Sequence, residues 1–155
     1  MPALVVIHGG RRGEYFNLQV KAALVVGRDD ALLAKMTDDA SVSRKHVEFI
    51  RHDTDDKCFA IDLGSSNGVR INGTKIDHSQ EVFDGDLIQI GHTLMVFVNK
   101  DLDDTSPVDT FLKACEKLYG DQLDKMRDHD RRIAAREANS NTGTMDFGVA
   151  TKKRK

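Results

Sequence analysis

Up to about residue 99, short apolar runs alternate with turn residues: ALVVIH, EYFNL, ALVVGR, HVEFI, CFAID, GVRI, LIQIG and TLMVFV. Runs of this length, rich in Val, Ile and Phe and set apart by polar punctuation, predict strands of an antiparallel sandwich or barrel. Phe59, Ile61 and Leu63 fall on one side of their segment and Cys58, Ala60 and Asp62 on the other, the alternation of a half-buried strand. Gly9-Gly10, Ser65-Ser66-Asn67-Gly68, Asn72-Gly73 and Asp84-Gly85-Asp86 supply turn chemistry, because Asn and Gly tolerate positive φ. No segment before residue 100 carries a long helical period.

Past residue 100 the pattern changes. Residues 101–106 read as a polar linker, and Ser106-Pro107-Val108-Asp109 has the arrangement of a helix start. A helix over 107–138 follows, with Val108, Leu112, Cys115, Tyr119, Met126 and Ile133 on a three-four spacing that Gln122 and His129 interrupt. Its first half can dock on a surface, its own sandwich included. The second half is mainly a charged face, and residues 139–155 read as a disordered, basic-ended tail.

Charge and composition narrow the function classes. The net charge of −2 excludes a strongly basic surface as a property of the whole protein, so nucleic acid is not the expected partner and any anion site is local. Cys58 and Cys115 stand far apart in no metal-binding or disulfide spacing, and read as idle thiols in a reducing compartment. The apolar stretch of the N-terminus is five residues long with no basic region before it, which predicts neither signal peptide nor membrane anchor. The expected location is cytoplasmic, or nuclear if the source is eukaryotic.

Chemistry concentrates in Ser43-Arg44-Lys45-His46, directly before a strand. The segment could hold a nucleophile with its base, a phosphorylation site, or a site that itself grips a phosphate. Three further motifs flank it: Gly27-Arg28 at a strand end, Ser65-Ser66-Asn67-Gly68, and Asn72-Gly73. Each alone is weak. Together, in this order and at these distances, they resemble the forkhead-associated (FHA) domain family over about residues 3–98.

That resemblance implies an all-β fold, an antiparallel sandwich of about eleven strands, over residues 1–100, whose loops at one end bind a phosphothreonine peptide. The phosphate-binding residues it implies are Arg28, Ser43, Arg44 and Ser66. Their chemistry suits that ligand, because a phosphothreonine carries about −1.5 to −2 charges and three acceptor oxygens, which call for fixed cations and donors. Asn67 is implied to bond the peptide backbone. His46, Gly27, Gly68, Asn72 and Gly73 are implied to support the loops. A few charged hydrogen bonds set against the cost of association predict roughly micromolar affinity, near −8 kcal/mol.

Neither cofactor nor metal is expected. The implied partner is a phosphothreonine-containing protein or peptide, with a Ser/Thr kinase or its substrate as candidates, in a non-catalytic signalling adaptor. The resemblance implies that partner selection rests largely on the residue three after the phosphothreonine, read by variable loops for which AKMTDDAS and VRINGTKI are the segments here. Some family members carry an arginine two residues before the equivalent of Ser43 that selects an acidic residue. Ser41 stands there, so no acidic preference is expected, and Asp38 and Asp39 favour a basic or apolar neighbour instead. The enzyme reading lacks a nucleophile elbow and a third triad member. The remaining alternative is a scaffold that self-associates through the 107–138 helix. Thr105, Thr110, Thr142 and Thr144 are candidates for a phosphorylated self-ligand.

Overall fold

The computed structural model describes residues 2–99 and 108–142. The linker 101–106, the helix start at Ser106-Pro107 and residues 143–155 of the tail lie outside the described residues.

Eleven strands form two sheets: β1 (Ala3–His8), β2 (Tyr15–Asn17), β3 (Leu24–Gly27), β4 (Ala34–Lys35), β5 (Val47–Arg51), β6 (Cys58–Asp62), β7 (Val69–Ile71), β8 (Thr74–Lys75), β9 (Ser79–Val82), β10 (Leu87–Ile90) and β11 (Thr93–Val98). One sheet runs β2-β1-β11-β10-β7-β8 and the other β4-β3-β5-β6-β9. The neighbours with a recorded register are antiparallel except β3 and β4, which are parallel. The inner faces meet in one apolar cluster that includes Leu4, Val6, Val26, Val47, Phe49, Ala60, Ile88, Ile90, Met95 and Phe97. Burial of such side chains is the main favourable term in folding. In β11 every residue is buried and in β1 all but His8, so these runs read as continuous apolar segments, not as alternations.

On β6 the alternation is present, and the side turned inward is the small one: Cys58 and Ala60 are buried while Phe59 and Ile61 are half-exposed. Burial also pushes the Cys58 thiol up from its ordinary range. Asn72 and Gly73 join β7 to β8 with φ of 52° and 86°, a two-residue turn with both central residues in the left-handed region. The Asn72 side chain accepts from Leu87 N and donates to Asp86 Oδ1, fastening this hairpin to the start of β10.

The chain divides into two compact units, Met1–Cys115 and Glu116–Lys155. The boundary falls inside the expected helix, which is itself two helices: α1 (Val108–Leu118) and α2 (Gly120–Thr142). Glycine is about 1 kcal/mol less favourable than alanine in a helix interior, so Tyr119-Gly120 is the weak point where the expected continuous helix divides. In the first unit Leu112 and Cys115 are buried, and the Leu112 side chain comes within 3.9 Å of where a Cβ would stand on Gly13. In the second, Arg127 pairs with Glu116 at 2.7 Å and Arg131 with Asp128 at 3.3 Å, and α2 extends past residue 138, so 139–142 are helical. No helix among the described residues is long and apolar enough to cross a membrane.

Candidate functional site

The site is built from the segments that follow β3, β4 and β6. At the end of β3 the chain passes so close to the segment before β5 that a Cβ on Gly27 would stand 2.1 Å from the Arg44 carbonyl oxygen. Only glycine fits there without moving backbone. The two segments are laced together: Arg28 N donates to Ser43 O at 2.9 Å and Asp29 N to Arg44 O at 3.1 Å. Arg28 Nε donates to the Val42 carbonyl at 2.9 Å, which fixes the guanidinium plane. Its terminal nitrogens have no acceptor among the described residues, and the side chain is exposed. A planar fork held by one edge with the other edge free is suited to bidentate recognition of an oxyanion.

His46 links the two halves of the site. Its ring is fully buried. Nδ1 accepts from Ser43 N at 3.0 Å, which places the ring proton on Nε2, and Nε2 donates to the Gly68 carbonyl at 2.7 Å. The loop that presents Ser43 and the loop that precedes β7 are therefore spanned by one rigid imidazole. Two further bonds close the same gap: Ser66 N donates to Ser43 Oγ at 3.1 Å, and Asn67 Nδ2 donates to the Ser41 carbonyl at 2.7 Å.

Several donors remain uncommitted at the surface. Ser43 Oγ accepts from Ser66 and keeps its own proton to donate. Ser66 is exposed, with a hydroxyl that makes no hydrogen bond among the described residues. Arg44 is 75% exposed, with Nη2 3.7 Å from Asp29 Oδ2. An exposed pair of that length is weak enough to leave the guanidinium free for a better anion. Asn67 has its amide nitrogen oriented by Ser41, and its carbonyl oxygen is open to a backbone N–H. The structure thus brings Arg28, Ser43, Arg44, Ser66 and Asn67 to one hydrogen-bonded group of loops, with Gly27, His46 and Gly68 behind them. Asn72 and Gly73 stand further off, shaping the β7–β8 turn. Ser65 belongs to the scaffold, capping the turn through Asp62 Oδ1.

One important residue escapes sequence reasoning, and its expected role is overturned. Asp39 is not a surface charge facing a ligand: it is 9% exposed and its carboxylate is saturated from within. Oδ1 accepts from Ser41 N at 3.0 Å and from the Ser41 hydroxyl, and Oδ2 accepts from His92 N at 2.9 Å and Thr93 Oγ1 at 2.8 Å. The β10–β11 turn reaches in closely, since a Cβ on Gly91 would stand 2.3 Å from Ser41 Oγ. Asp39 thereby anchors the Ser43 loop to the opposite sheet. An acidic residue followed two positions later by a bonded Ser is the only local signal for this role, the Asx-turn pattern.

Burial alone would raise the Asp39 pKa, but the donors from Ser41, Thr93 and His92 outweigh it and hold the carboxyl below its ordinary value. A depressed folded pKa contributes stability above the unfolded value of about 3.9, and that stability is lost as pH falls through the folded pKa. Asp39→Asn places an amide N–H against donors and leaves one of them unanswered. It is expected to cost about 1–3 kcal/mol at pH 7 and to flatten the loss of thermal stability as pH falls below the unfolded carboxylate value of about 3.9, measured by circular dichroism melts. An unchanged acid limb would show that other carboxylates carry it.

A sequence profile of the family described as FHA domain matches residues 24–91, the stretch that holds Arg28, Ser43, Arg44, His46, Ser66 and Asn67. An oxoglutarate dehydrogenase inhibitor of Corynebacterium jeikeium is 35% identical over 96 residues, 62% of this chain and 63% of that protein. The match therefore spans less than two thirds of that relative's length. The solved FHA domain of the CT664 protein from Chlamydia trachomatis superposes with a TM-score of 0.60 at 30% identity, covering 64% of this chain and 98% of that one. A further solved domain, described for phosphothreonine-dependent FHA interactions, gives a TM-score of 0.55 at 25% identity over 65% of this chain and 98% of the other.

Proposed function

We propose, because this chain belongs to the FHA domain family, that its β3–β4, β4–β5 and β6–β7 loops bind phosphothreonine in an extended peptide, without catalysis, as part of kinase-linked signalling. One observation carries the reading: Arg28, Ser43, Arg44 and Ser66 present uncommitted donors from three loops, two of them braced by His46 and the third laced to the Ser43 loop through Arg28 N and Asp29 N. A dianionic phosphate with three acceptor oxygens is the ligand that uses such a set. Arg28 supplies the fork, Arg44 a second positive charge, and Ser43 and Ser66 the hydroxyl donors.

Asn67 contributes differently. Its open carbonyl oxygen accepts a peptide N–H, fixing an extended backbone across the loops and so its register. The Ser43–His46 pair is not a nucleophile and base, because the ring lone pair on Nδ1 is spent on the Ser43 backbone and the proton on Nε2 on Gly68. No proton can leave Ser43 Oγ by that route.

Titration of the full chain with a threonine peptide and its phosphorylated form tests the proposal. The phosphothreonine peptide is expected to bind at about micromolar Kd, and the unphosphorylated one at least tenfold more weakly. A phosphate signal that stays with the peptide throughout distinguishes a reader from a phosphatase. Equal binding of the two forms would sink the assignment.

A further inference from the structure

The outer face of the β7–β8 hairpin carries charge that the fold does not require. Arg70 and Lys75 are Cα partners across it, and both are exposed. Like charges directly opposite each other destabilise a strand pair. Elsewhere in this unit Arg11 meets Glu14, Arg44 meets Asp29 and Arg51 meets Asp56. Among the described residues neither Arg70 nor Lys75 has a carboxylate partner.

The position of this pair gives it meaning. Lys75 leans over Gly68: its Cε and Nζ lie 2.6 and 3.4 Å from where a Cβ would stand on that residue. Gly68 follows Asn67 directly, and its φ of 78° is a conformation that side chains rarely adopt; the nearest atoms to where a Cβ would stand belong to the flexible end of Lys75. The missing side chain lets an ammonium group rest beside the loop that carries Ser66 and Asn67. A peptide held by Asn67 and running toward β8 would pass this cation within a few residues of its phosphothreonine, since an extended chain advances about 3.3 Å per residue.

We propose that Arg70 and Lys75 form a second anion subsite, which selects phosphothreonine peptides bearing an acidic residue in the segment that runs past Asn67. This rests on the phosphopeptide reading above. It also reverses the expectation drawn from Ser41, because the selecting charge comes from β7 and β8 and not from the loop before Ser43. Two exposed cations opposite each other are stabilised, not strained, once a carboxylate lies between them. The overall charge of −2 favours this local use over a polyanion as the occupant.

The test uses an otherwise neutral phosphothreonine peptide of alanine-rich sequence, with aspartate placed singly at each of about four positions on either side. For the full chain the ratio of alanine-peptide to aspartate-peptide Kd is expected to rise about two- to fivefold per ion pair at one or two positions on one side only. In an Arg70→Gln, Lys75→Met double variant that ratio returns to one. In an Arg70→Glu, Lys75→Glu double variant it inverts, with a lysine peptide preferred at the same positions. Taking the ratio within each protein removes any general loss of folded material. If the neutral peptide binds but no position shows an advantage, or the advantage survives in the double variant, the subsite is refuted while the phosphate site stands. If the neutral phosphothreonine peptide itself fails to bind, the underlying reading falls and takes the subsite with it.

Discussion

Arg28→Ala will weaken binding of a phosphothreonine peptide by about 10- to 150-fold, the factor that corresponds to loss of one charged hydrogen-bonding group worth roughly 1.5–3 kcal/mol. Stability will change far less, because the side chain's bond to the protein is from Nε to the Val42 carbonyl, at a partly buried position where water can replace it. Arg28→Lys separates the two contributions of the residue. Lysine keeps the positive charge but loses both the planar fork and the tether that aims it, so an intermediate loss is expected. Calorimetric titration of the three proteins against one peptide measures this, with a thermal melt as the control for folding. If Arg28→Ala binds like the parent, the phosphate lies elsewhere in the loops and the role of Arg44 becomes the principal one.

That expectation is reachable from the sequence because Gly27-Arg28, Ser43, His46 and Asn67 each sit in a short local motif. The strands are legible for a similar reason. Residues 3–8 and 93–98 are unbroken apolar runs, and they form β1 and β11. Three strands leave no such trace. β4 and β8 are two residues long, and β9 reads Ser79-Gln80-Glu81-Val82 with only Val82 buried. Pairing with a neighbour, not periodicity, makes these residues strands.

The rest of the site is illegible for a different physical reason. Asp39 meets His92 and Thr93 across 53 and 54 residues of sequence. Beside Asp38 it looks like half of an exposed acidic pair, and only the approach of the β10–β11 turn converts it into a buried acceptor. The Arg70–Lys75 pair is equally invisible one residue at a time, since its significance lies in the cross-strand register and in the lean of Lys75 over Gly68. Local chemistry announces itself in sequence, whereas a contact made by topology does not.

His46 is where both kinds of information meet, and its replacement should have the larger effect on stability. In His46→Ala the ring is gone from a fully buried position, and Ser43 N and the Gly68 carbonyl both lose their partner. Each buried backbone group left unsatisfied costs about 1–3 kcal/mol, so a total of about 2–5 kcal/mol is expected. For a domain of this size that lowers Tm by at least ~10 °C. Binding should suffer beyond the loss of folded protein, because Ser43 and Ser66 are then no longer held in register by a common brace.

Two conservative variants divide the role of the ring. Asparagine places an acceptor near the position of Nδ1 and can retain the bond from Ser43, while glutamine places a donor near the position of Nε2 and can retain the bond to Gly68. His46→Asn is therefore expected to keep more of the phosphate affinity and His46→Gln more of the order in the β6–β7 loop, read respectively by peptide titration and by amide exchange at Asn67 and Gly68. A base catalyst would be rescued by neither. If both variants restore binding equally, the histidine acts as a filler of volume and the two loops are coupled through Ser43–Ser66 and Ser41–Asn67 instead.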